Sequence, residues 1–78
     1  MVHVINVEPG ALGWMVSADA FDNCMVFLSG AKAEAAAKQL ARTFAACGQG
    51  AEVRVILADG VVVGRFACAP KVQLKMVS

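Results

Sequence analysis

Side chains able to act as nucleophiles, bases or metal ligands are few in this chain. It has one histidine, His3, and three cysteines, Cys24, Cys47 and Cys68. A metal site needs several such ligands in a cluster. Three cysteines far apart, with no CxxC spacing, do not supply one beside a lone histidine. His3 sits in a β-branched run and reads as a structural or surface residue. Cysteine catalysis needs an activating base beside the thiol. Cys47 falls near the end of a helix, where the dipole disfavours a thiolate; Cys24 lies in an apolar run and Cys68 in a strand. Asp19, Asp22 and Asp59 fall where turns are expected, and turn geometry accounts for them. Gly48-Gln49-Gly50 follows a helix, whereas a phosphate-cradling loop precedes one. No catalytic residue, metal ligand or cofactor is therefore expected, and the chain does not read as an enzyme.

One polar feature resists a bland account. Arg54 and Arg65 are placed opposite each other on neighbouring strands, and like charges facing across a sheet are destabilising. An anion should lie nearby: Glu52 on the same face, Glu8 from the first strand, a partner's carboxylate, or a nucleic-acid phosphate. If Trp14 shared that face, an aromatic flanked by two arginines could stack a base and hold its backbone, with Lys71 and Lys75 assisting. A net charge of +1 and a single tryptophan without tyrosine make a poor nucleic-acid surface. Weak anion or nucleic-acid binding is thus the second functional reading.

These residues are positioned by short elements. Val2–Val7 is β-branched and reads as a strand stopped by Glu8-Pro9-Gly10. Gly13–Ser17 reads as a second strand, and Cys24–Leu28, an apolar run between turn residues, as a third. Residues 31–47 are strong helix formers behind the N-cap candidate Ser29, with Gly48 as the stop. The stripe Ala33, Ala37, Leu40, Phe44 and Cys47 is expected to face the core, and Glu34 precedes Lys38 at the favourable ion-pair spacing.

Ala51–Ala58 and Val61–Cys68 are joined by Asp59-Gly60, a strong hairpin signal. A two-residue turn would pair Ala58 with Val61, Ile56 with Val63, Val55 with Gly64, Arg54 with Arg65 and Val53 with Phe66. Alternation then assigns Val53, Val55, Leu57, Val62 and Phe66 to the helix side. Arg54, Ile56, Ala58, Val61, Val63 and Arg65 take the other side. Lys71–Met76 alternates polar and apolar residues, as a half-buried strand does. Residues 69–78 would form a further strand or a tail used in association. The expected fold is α+β: a single antiparallel β-sheet, β-β-β-α-β-β along the chain, with one α-helix packed on one face, all in one domain spanning 1–78.

The chain has 78 residues, 59% of them hydrophobic and 17% charged. This excludes a disordered or strongly charged arm. Twelve valines lead the larger apolar residues, more than one small core hides. The uncovered sheet face should meet a second copy. The preferred reading is a non-enzymatic interaction module, a homodimer or a module docking on another protein. It would be joined through the outer sheet face or the tail, with Trp14, Ile56, Val61, Val63, Leu74 and Met76 as contact residues. An odd cysteine count, no signal-peptide pattern and no long apolar run point to a cytoplasmic, non-membrane protein with reduced, mostly buried thiols.

Several of these features resemble a family of small bacterial domains that carry only a domain-of-unknown-function label. The resemblance lies in His3-Val4, Pro9, Gly13-Trp14-x-Val16, Lys32-x-Glu34-Ala35 opening an alanine-rich helix, and the closing Asp59-Gly60, over residues 3–68. Residues 18–28 are longer and more apolar than in that pattern, and the tail after Pro70 is extra. The resemblance implies a β-β-α-β-β type of fold and no known activity, substrate or cofactor.

Overall fold

The structure is a computed structural model, which describes residues 2–70. Five strands and one helix follow in the order β1 (Val2–Gly10), β2 (Gly13–Ala18), β3 (Met25–Phe27), α1 (Gly30–Ala46), β4 (Gly50–Ile56) and β5 (Val62–Cys68). One sheet contains all the strands, ordered β3-β2-β1-β4-β5, and α1 lies on one of its faces. The α+β class and the order of elements are as the sequence predicts.

The sheet is mixed, not purely antiparallel. β1 pairs with β2 antiparallel across the tight turn at Ala11-Leu12, and β2 with β3 likewise. β4 then runs parallel to β1, from Val2 opposite Gly50 to Val7 opposite Val55. Short turns force antiparallel neighbours, but a helical crossover permits a parallel one. Here α1 carries the chain from the β3 edge back across the sheet, so β4 arrives beside β1 in the same direction. β1 also extends through Pro9 to Gly10. Its pairing with β4 ends at Val7, so proline sits where one side of the strand is open. β3 is shorter than expected, only Met25–Phe27.

Helix α1 begins where Ser29 accepts a 3.4 Å hydrogen bond from the Lys32 N–H. It ends in a Schellman motif: Gly48, at φ +83°, donates its N–H to the Ala45 carbonyl and Gln49 donates to that of Phe44. Glu34 and Lys38 form the expected ion pair at 3.1 Å. The buried stripe is Ala33, Ala37, Ala41 and Ala45. This corrects the expected stripe. Leu40 and Phe44 flank the core half-buried, and Cys47 is exposed at the cap. The physical reason is spacing. Four alanines one turn apart let the helix backbone approach the sheet, and the bulkier side chains splay to either side. Against them pack Ile5, Val7, Val16, Ala18, Ala51 and Val53.

The β4–β5 hairpin departs from a two-residue turn. The Leu57 N–H donates to the Val61 carbonyl, the Gly60 N–H donates to that of Leu57, and Gly60 has φ +87°. This is a three-residue loop with glycine in the left-handed position, braced by Asp59 accepting from the Val61 N–H at 3.1 Å. The longer loop shifts the pairing by one, so Ile56 faces Val62 and not Val63. A bulge then restores the expected register at Val55–Gly64, Arg54–Arg65 and Val53–Phe66. Leu57 and Val62, assigned by alternation to the helix side, are both exposed.

Candidate interaction surface

Strand alternation places Asn6, Ser17, Glu52, Arg54 and Arg65 on the sheet face opposite the helix. Asn6 pairs with Ser17 on one side and with Arg54 on the other, and Arg54 faces Arg65. The predicted arginine juxtaposition is therefore present, and Glu52 provides the anion. The Arg54 Nε donates to the Glu52 carboxylate. That hydrogen bond, opposed by partial desolvation and assisted by the charges of Arg54 and Arg65, holds Glu52 below the usual carboxylate range. Arg54 is thus engaged within its own sheet. Arg65 is exposed and, among the described residues, has no carboxylate in ion-pair contact.

Trp14 lies on the other face. It packs half-buried against the core beneath the start of α1, where a Cβ added to Gly30 would stand 3.0 Å from its indole ring. The tryptophan-and-two-arginines constellation is not assembled, because Trp14 follows the parity of Val16 and Ala18 and so points to the helix. Trp14 therefore does not lie on the outer face as a docking residue. Ile56 is half-buried, whereas Val61 and Val63 are 52% and 55% exposed. With Leu57 and Val62 they make the β4–β5 hairpin an exposed apolar projection. A second apolar group lies at the far edge, where Phe21, Met25, Val26 and Leu28 are exposed. Between these groups the outer face is more polar than valine content suggests, since Asn6, Ser17 and the Glu52–Arg54 pair occupy its centre. Leu74 and Met76, and the assisting Lys71 and Lys75, lie outside the described residues.

Sequence reasoning missed a polar cluster on the helix side. His3, with 18% of its side chain exposed, stacks on Phe44 with ring centroids 4.3 Å apart. Its Nδ1 lies 3.1 Å from Asp19, and the Gln49 side-chain amide lies 3.1 Å from its Nε2. Desolvation raises the Asp19 pKa, but hydrogen bonds from His3 and the backbone, with the His3 charge, bring it below its ordinary value. The cluster ties β1 to the loops before β3 and after α1, which supports the structural reading of His3. Only the fold brings together residues this far apart in sequence. Beside it a cavity of about 340 Å³ is lined by Val16, Ala18, Phe21, Asn23, Met25 and Leu40. Among the described residues no titratable group lines it.

The cysteines are not mostly buried: Cys24 and Cys47 are exposed and Cys68 is half-buried, all as free thiols. Their positions at a loop, a helix cap and an outer strand explain this. Among the described residues no three His, Cys, Asp or Glu side chains cluster as metal ligands, and no helix is long and apolar enough to cross a membrane. Comparison of the chain with protein-family models, with curated proteins and with solved structures gives no match. The likeness to small bacterial domains therefore rests on the quoted motifs alone.

Proposed function

We propose that this protein is a non-enzymatic interaction module of the cytoplasm that pairs with a second copy through its β4–β5 hairpin. The observation that supports this reading is the hairpin itself. Leu57, Val61, Val62 and Val63 are all exposed on this one hairpin beside Ile56, and gathered exposed apolar side chains commonly mark a contact site. A two-fold pairing would bring each patch onto its equal in the partner, as an isologous interface requires. The anion-binding alternative loses two of its supports, because Arg54 is held by Glu52 and Trp14 is on the other face.

The test is a Val61→Asp/Val63→Asp variant followed by light scattering. Both residues are exposed, so the fold should survive and the dimer should dissociate into monomers. A variant that dimerises as tightly as the parent chain would refute the hairpin as the contact.

A further inference from the structure

A third feature concerns the open side of β5 and does not rest on self-pairing. β5 is the last strand of the sheet, seven residues long, and among the described residues no strand adjoins its outer side. A strand edge presents unpaired backbone N–H and C=O groups, which a further extended chain can complete. The opposite edge, β3, has only three residues and offers little to pair with.

Basic side chains flank the β5 edge on both faces. On the helix side the half-buried Phe66 ring carries the Lys38 ammonium 5.3 Å and the Arg42 guanidinium 5.7 Å from its centroid. On the outer side stands the exposed Arg65. Lys38 is neutralised by Glu34. Arg42 and Arg65 have no ion-pair contact among the described residues.

Charge selects the occupant. A second β5 would bring Arg42 and Arg65 toward their own copies. The chain's own terminal segment carries Lys71 and Lys75 with no acidic residue, so it too would add like charge. Nucleic acid would satisfy the arginines but has no backbone that matches a strand edge. We propose that the β5 edge is a docking site for an extended acidic segment of a partner protein. That segment would add to the sheet as a further strand, its carboxylates on alternate faces meeting Arg42 and Arg65.

The test uses the full chain and a short synthetic peptide with two adjacent glutamates in a run of valine and threonine, so that carboxylates project on both faces of the strand. The same peptide carrying lysines for the glutamates is its counterpart. Backbone amide shifts, read by NMR at low salt, should move saturably along Val62–Cys68 with the acidic peptide. That peptide should bind about tenfold or more tightly than the basic one, the margin that like-charge juxtaposition at such a contact implies. An Arg42→Glu/Arg65→Glu variant, changed only at exposed positions, should reverse the preference. The proposal is overturned by any of four results. The peptides bind equally; the shifts lie elsewhere; a single-stranded oligonucleotide shifts the same amides as strongly; or the β5 outer amides of the free chain are already protected from exchange. A loss of dimer in the hairpin variant would leave these outcomes unaffected, so the two proposals fail separately.

Discussion

Two carboxylates show how single residues couple this fold to its solvent. Asp19 is held by His3 and Glu52 by Arg54, each below its ordinary value of 3.8 and 4.5 respectively. A carboxylate with a depressed folded-state pKa stabilises the protein above its unfolded value, and the contribution vanishes as pH falls through the folded one. Stability should therefore decline from about pH 4.5 downward as the two groups are protonated. Glu52→Gln keeps the shape and removes the titration. Its urea midpoint, followed with pH, should fall less steeply than that of the parent chain over this range. Parallel slopes would mean that the Arg54 pair contributes nothing differential to folding. The His3–Asp19 cluster shows where reading residues one by one ends: sixteen positions separate the two, and no spacing rule joins them.

Among the elements, those with local causes were legible in the sequence. Ser29, Gly48 and the Glu34–Lys38 spacing define α1, because caps and ion pairs act within a turn or two. Two elements were not legible in full. The parallel β1–β4 pairing depends on where a crossover lands the chain, which no residue in β4 announces. The hairpin register depends on whether Asp59-Gly60 closes two residues or three, and both loop types accept glycine there. The candidate site was legible in the same measure. The Arg54–Arg65–Glu52 grouping follows from alternation and register, whereas the side taken by Trp14 hung on a loop whose length fixed no parity. The alanine stripe carries a prediction of its own. Ala37 is fully buried where α1 meets the sheet, so Ala37→Leu should force the helix outward and cost about 1–3 kcal/mol, as overpacking does. Thermal unfolding would measure it. An unchanged midpoint would show that the close approach is not required.

For the whole molecule, the governing fact is an imbalance of apolar surface. One helix over one sheet buries only Ile5, Val7, Val16 and Val53 among the larger side chains to below 2% exposure. Ten other large hydrophobic residues in the described chain remain exposed, and all but Val2 and Leu12 gather at the two margins of the sheet. The polar centre of the outer face limits what a face-to-face contact would gain, which is why the hairpin margin carries the self-association proposed above. Sedimentation equilibrium of the unaltered protein across the micromolar range is the most direct measurement. The expected result is a concentration-dependent mass rising to twice that of the chain. A mass that stays at one chain throughout, with the protein remaining in solution, would contradict the account.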